Sequence, residues 1–191
     1  MSFSAVILAG GKSSRMGRDK AFLEIGGQTL LARQIEIVRA AGVTEIFISG
    51  RDGTDYSAFG CRILKDNFPD TGPLAGIEAA LSAAANPLLL VLAVDLPEMS
   101  LELLRELSTH CQKNAGAVPC IGGEIEPLAA FYPQAAHFLA AALLKEDANA
   151  VKNFAGRCAQ SGLAALVDFQ ESHGRFFKNC NTPTDFFVAG R

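Results

Sequence analysis

The chain has no basic excess. Its 17 Lys+Arg stand against 20 Asp+Glu for a net charge of −3, which argues against duplex DNA or an anionic membrane surface as the main partner. A small anionic ligand remains compatible with that balance. Long apolar runs are missing too: Leu88 to Val94 and Phe138 to Leu144 are seven residues each, far short of the ~20 that a membrane-spanning helix needs. Tryptophan is absent, and the five cysteines (Cys61, Cys111, Cys120, Cys158, Cys180) are odd in number and scattered. With no C-x-x-C pair, neither a disulfide framework nor a zinc site is signalled, and small core residues are the expectation. The start, Met-Ser-Phe-Ser-Ala-Val-Ile-Leu-Ala, lacks a basic leader, so cytoplasm is the expected compartment. What is present is an ordinary globular composition of 49% hydrophobic residues and 18 Gly in 191. A chain this long can bury roughly 70% of its unfolded surface. One compact domain is expected over 1–191, with no linker or repeat to divide it.

Strand-like and helix-like segments alternate. Phe3 to Ala9 is a short apolar run ended by Gly10-Gly11, and Leu30 to Ala41 carries Leu31, Ile35 and Val38 at helical spacing. Glu45 to Ser49 and Arg62 to Lys65 read as strands, Pro73 to Ala85 as a helix with proline in its first turn, and Leu88 to Val94 as a strand buried on both faces. Ser100 caps a helix striped by Leu104, Leu107 and Cys111. Beyond residue 115 the pattern changes: Ala117 to Cys120 and Pro127 to Tyr132, joined through Gly122-Gly123, read as a ribbon or mixed-sheet edge. A helix with Phe138, Leu139, Ala142 and Leu143 on one face follows, then a strand at Leu163 to Phe169 and a last short helix from Asn181-Thr182-Pro183. The fold class expected is α/β, a Rossmann-like three-layer αβα arrangement with a mostly parallel sheet and a mixed C-terminal edge.

In open parallel sheets ligands bind beyond the carboxyl ends of the strands. The first strand ends at Gly10-Gly11, the third at Asp66 and the central one at Asp95-Leu96-Pro97, so a glycine pair and two carboxylates share one rim. Residues 12–20 hold four cations and one anion, net +3, leaving −6 on the other 182 residues. A glycine turn lets backbone N–H groups approach phosphate, and Arg15 and Lys20 can neutralise it. Gly11-Lys12-Ser13 imitates the end of a Walker A loop, but Val6 stands where that motif needs glycine, and no G-x-G-x-x-G follows the strand. Asp95 at the end of an apolar strand calls for a positive partner. Magnesium on substrate phosphates fits that need; the alternatives are that Asp95 caps the following turn or pairs with a local arginine. Asp70-Thr71-Gly72-Pro73-Leu74-Ala75-Gly76 opens a helix with Thr71 or Gly72 at its cap, which exposes N–H donors to the same rim.

The spacing Leu8-Ala9-Gly10-Gly11, Arg15-Met16-Gly17, Lys20 resembles the N-terminal signature of nucleotidyltransferases. With Gly72-Pro73-Leu74-Ala75-Gly76, Asp95-Leu96-Pro97, Glu126-Pro127-Leu128-Ala129 and Asn179-Cys180-Asn181-Thr182-Pro183, the chain is most similar to the molybdenum cofactor guanylyltransferases. The resemblance runs from residue 8 to 185. It implies transfer of GMP from GTP to the terminal phosphate of molybdopterin with release of pyrophosphate. Residue by residue, it implies that Leu8, Ala9 and Gly10 hold the nucleotide, and that Gly11, Arg15 and Lys20 face its phosphates. Asp66 would contact the nucleotide, Asp95 would bind Mg²⁺, and Gly72, Gly76, Asn179 and Asn181 would line the pterin side. Residues 1–114 would then form the nucleotide-binding part and 115–191 the pterin part. Arg15, Lys20 and Asp95 are the expected catalytic set. Where the family often has asparagine this chain has Ser49, so the nucleotide contact there is Ser49, a backbone group, or none; Thr184 replaces the usual acidic residue before Asp185. Molybdoenzymes or cofactor-delivery proteins would be downstream partners, and a monomer or weak oligomer the assembly.

The attacking phosphate monoester is already largely ionised at pH 7, so no general base is required. In keeping with that, His110, His137 and His173 lie in or near expected helical or loop surfaces with no sign of a Ser–His or Cys–His nucleophile arrangement, and read as structural. What the reaction needs is in-line placement and charge neutralisation. Two other readings remain: a cytidylyltransferase of the same signature, and a non-catalytic nucleotide or pterin adaptor.

Overall fold

The computed structural model describes residues 2–10 and 19–180. Strand β1 (Phe3–Leu8) buries all but its first residue, with Ala5 and Ile7 on one side of the sheet and Val6 and Leu8 on the other. A strand covered on both faces needs that unbroken apolar run. After residue 19 comes a 3-10 turn (Lys20–Phe22), and a short hairpin of β2 (Glu24–Ile25) and β3 (Gln28–Thr29) then leads into α1 (Leu30–Ala40). Thr29 caps α1 by accepting the Ala32 N–H, and Leu31, Ile35 and Val38 form its buried stripe as their spacing predicts. The chain continues through β4 (Ile46–Ser49), β5 (Arg62–Leu64), α2 (Pro73–Ala83), β6 (Leu88–Ala93) and α3 (Leu101–Thr109), the last capped by Ser100. It then runs through β7 (Gly116–Ile121), β8 (Glu124–Ile125), β9 (Ala129–Pro133), α4 (Ala136–Lys145), α5 (Val151–Gln160) and β10 (Ala164–Phe169).

The main sheet has the order β10-β7-β9-β6-β1-β4-β5, with β8 paired to β7. Helices α1 and α3 cover one face and α2, α4 and α5 the other, which gives the three-layer α/β arrangement expected. From β1 the chain steps outward to β4 and β5, then returns to β6 on the opposite side of β1. The strand order thus reverses between β1 and β6, the kind of switch point beyond whose carboxyl ends open α/β sheets bind ligands.

Three expectations need correction. The reversed strand does not lie at the sheet's edge: β9 runs antiparallel to both β6 and β7 in the interior, and the edge strand β10 is parallel to β7. All five residues of β9 are buried, which an interior position requires. Gly122-Gly123, both at positive φ, close the β7–β8 turn and not a direct β7–β9 hairpin. Finally, α4 turns Ala136, Ala140, Leu143 and Leu144 inward, while Phe138 is 77% exposed and Ala142 faces solvent. The helix is nearly all apolar, so hydrophobicity alone does not choose its face, and the small alanines let it pack closely on α2.

Candidate active site

Sheet register sets the rim. Leu8 lies level with Ser49 of β4 and Ala93 of β6, so the three strand ends span about 10 Å at the usual strand spacing. The backbone just beyond them is already engaged: Leu8 O accepts from Val94 N–H, and Ser49 O accepts from both Ala9 N–H (2.8 Å) and Gly10 N–H (3.0 Å). The Gly10 amide therefore serves the sheet. Leu8 and Ala9 are buried and Gly10 is exposed. Gly11, Arg15 and Asn181 lie outside the described residues.

Lys20 and Asp95, assigned separate tasks from the sequence, meet here. Lys20 Nζ donates to Asp95 Oδ2 at 2.9 Å, with each side chain 19% exposed. The positive partner demanded by a carboxylate at the end of an apolar strand is thus Lys20. The turn that follows is held from α1, where Gln34 Nε2 donates to Leu96 O (2.7 Å) and Arg33 Nε to Pro97 O (2.8 Å). Cys180 N–H donates to Asp95 O at 2.9 Å, which brings exposed Asn179 beside the same turn.

On the other flank, Ser49 Oγ donates weakly to Asp66 Oδ1 at 3.4 Å. Burial raises the Asp66 carboxyl above its ordinary value; the Ser49 hydrogen bond opposes this, and the Asp52 and Glu78 charges add to it. Gly76 lies under this pair: a Cβ there would sit 2.2 Å from Ser49 Oγ, 2.8 Å from Ser49 Cβ and 3.0 Å from Leu8 Cδ2. Its missing side chain lets α2 close on β1 and β4, so Gly76 is buried beneath the site and does not face outward. Gly72 is the exposed N-cap of α2 at φ 85°, a left-handed conformation that favours glycine. Thr71 instead turns its hydroxyl to Phe68 O.

Residues 5–161 match the MobA-like NTP transferase domain. The chain belongs to that family. A protein of Opitutus terrae named probable molybdenum cofactor guanylyltransferase is 35% identical over 187 residues, covering 96% of this chain and 93% of that one. One of Xanthomonas euvesicatoria named molybdenum cofactor guanylyltransferase is 33% identical over 186 residues, 95% and 90% of the two chains. Among solved structures, molybdopterin-guanine dinucleotide biosynthesis protein A from Archaeoglobus fulgidus superposes with a TM-score of 0.76 at 22% identity, covering 98% and 96%. The 2-C-methyl-D-erythritol 4-phosphate cytidylyltransferase of Thermus thermophilus gives 0.72 at 22%, covering 100% and 98%. These two structures share the fold.

An MobA-like NTP transferase is a nucleotidyltransferase, and this rim has the features that such chemistry asks for: an amine, a carboxylate and strand ends converging at a switch point. Among the described residues no group of three or more His, Cys, Asp or Glu is placed to hold a metal. A divalent ion on Asp95 would then draw most of its ligands from phosphate and water, the usual way Mg²⁺ is held. The lysine now on Asp95 marks a position already built to hold positive charge, so the residues fit that ion. Burial pushes the Cys111 thiol up to about 11 and the Cys158 thiol up to about 12, so neither is a ready nucleophile at neutral pH. His137 Nε2 pairs with buried Glu78 at 2.8 Å, and Asn67 donates to the same carboxylate at 3.0 Å, so this histidine braces α4 against α2. Sequence reading missed Arg33 and Gln34, whose role depends on contacts 64 and 62 residues away.

Proposed function

We propose that this nucleotidyltransferase acts in molybdenum cofactor biosynthesis, transferring GMP from GTP to the terminal phosphate of molybdopterin and releasing pyrophosphate. The observation that carries the reading is the Lys20–Asp95 pair at the β1/β6 switch point, in a chain similar along almost its whole length to guanylyltransferases. An oxygen of the acceptor phosphate forms the new bond to the α-phosphorus of GTP, and the bond from that phosphorus to the α,β-bridging oxygen breaks. The acceptor is ionised at neutral pH, so the protein needs to supply position and positive charge, not a base. Leu8, Ala9, Gly10 and Ser49 border the nucleotide, and Asp66 contacts it. Lys20, with Gly11 and Arg15, faces the phosphates. Asp95 would hold Mg²⁺, which when bound offsets charge on the phosphate oxygens. With Asp95 holding that ion, Lys20 would be left to face the phosphates. Gly72, Asn179 and Asn181 border the acceptor; apart from Gly72, residues 1–114 serve the nucleotide and 115–191 the pterin.

Pyrophosphate release with molybdopterin, Mg²⁺ and either GTP or CTP tests the reading. The expected result is release with GTP and at least ~10-fold less with CTP, the scale of one or two discriminating base contacts. Preference for CTP would replace the guanylyl assignment with a cytidylyl one. GTP binding without release would point to an adaptor.

A further inference from the structure

Tyr56 lies in the loop after β4 and is fully buried. Its ring occupies the space left by Gly50, where a Cβ would stand 2.1 Å from the ring's Cε2. Phe22 stacks on the ring at 5.7 Å with planes 14° apart. The hydroxyl donates to Asp19 Oδ2 at 2.6 Å and accepts the Arg51 N–H at 3.0 Å. Asp19 Oδ1 in turn accepts the Ala21 N–H at 3.0 Å. The residues flanking Lys20 are therefore all tied to one phenol: Asp19 directly, Ala21 through Asp19, and Phe22 by stacking. A phenylalanine would fill the same slot without a buried hydroxyl to satisfy, so the hydroxyl's consequence is the fixed place of Asp19. Between those flanking residues Lys20 reaches 2.9 Å to Asp95.

We propose that Tyr56 is a positioning residue that aims Lys20, tying the loop after β4, where the nucleotide is seated, to the segment that meets its phosphates. The inference rests on the nucleotidyl-transfer reading above. Nucleotide contact near Ser49 to Arg51 and the aim of Lys20 are then coupled through a single hydroxyl.

The test is a double-mutant cycle on Tyr56→Phe and Lys20→Ala, read by pyrophosphate release, with thermal unfolding confirming that each variant is folded. Tyr56→Phe alone should lower kcat about 10-fold with KM for GTP within about 2-fold, because a misaimed amine is missed mainly in the transition state. In the Lys20→Ala background the same change should alter kcat less than about 2-fold. Full additivity would overturn the proposal, since it would mean that Tyr56 acts independently of Lys20. Asp19→Ala should repeat the non-additive pattern should Tyr56→Phe fold poorly. A second readout needs no activity: tryptic cleavage after Lys20 in the ligand-free protein should quicken about 10-fold in Tyr56→Phe, as local opening becomes easier. Unchanged cleavage would also overturn it. If the wild type releases no pyrophosphate with either nucleotide, the transfer reading fails, while the cleavage rates still decide whether Tyr56 holds Lys20.

Discussion

Lys20 and Asp95 pair across 2.9 Å, each side chain only 19% exposed, and removing Lys20 takes from a partly buried carboxylate the amine that offsets its charge. In the proposed reaction both would stand against the phosphates of two mutually repelling anions. Lys20→Ala and Asp95→Ala should each therefore lose at least ~100-fold in kcat, the scale of one preorganised electrostatic contact. Steady-state pyrophosphate release measures this, and near-normal rates in either variant would remove that residue from the catalytic set. Both residues were legible in the sequence, Lys20 from its place in a cationic segment after a strand and Asp95 from its position ending an apolar one. Their pairing was not, because the contact joins positions 75 apart and only the sheet order brings them together. Tyr56 was illegible for a related reason: a lone tyrosine in a loop carries no periodic signal, and its partners Asp19 and Gly50 are identified only by the fold.

At the scale of elements, α2 depends on how closely it can approach the strand ends. Gly76 sets that distance, because its missing Cβ lies where Ser49 Oγ and Cβ already stand. Gly76→Ala should cost about 1–3 kcal/mol of unfolding free energy, the range for overpacking a well-packed site, measured by urea denaturation. Ser49 Cβ cannot rotate away, so only the double variant Ser49→Gly/Gly76→Ala should recover most of the loss. Recovery is the outcome that separates a local clash from a general intolerance of alanine. Elements with strong periodicity or clear caps, such as α1, α3 and β6, were readable. Helix α5 (Val151–Gln160) was not: its buried set is only Phe154, Ala155 and Cys158, and Ala150 at its N-cap makes no side-chain hydrogen bond. The spacing of Phe154 and Cys158, one helical turn apart, was the available clue. For α4 the element was legible but its inward face was not, since tight packing on α2 selects alanine over the larger Phe138.

Across the whole molecule, one sheet joins the two sequence halves, because β9 pairs with both β6 and β7. The net charge of −3 is correspondingly a sum over unlike regions, +3 in residues 12–20 and −6 elsewhere. The acidic share includes Asp66, and its setting makes the stability of the entire fold respond to pH. Burial raises the Asp66 pKa in the folded protein above the ordinary 3.8, so the folded state holds this proton more tightly than the unfolded chain does. Between 3.8 and the raised value the unfolded state binds fewer protons, so the contribution of Asp66 to unfolding free energy falls as pH rises and levels off above the folded pKa. Asp66→Asn cannot ionise and loses this dependence. In the ligand-free protein, the melting temperature of Asp66→Asn relative to wild type should therefore climb as pH rises through that window and then stay constant. Partial exposure and solvent screening limit the gain to about 2 °C for a chain of this size. Thermal unfolding of both proteins across the acidic range measures the difference. A gap that shrank with rising pH would mean that Asp66 is stabilised as a carboxylate in the folded state, contrary to the desolvation that its burial imposes.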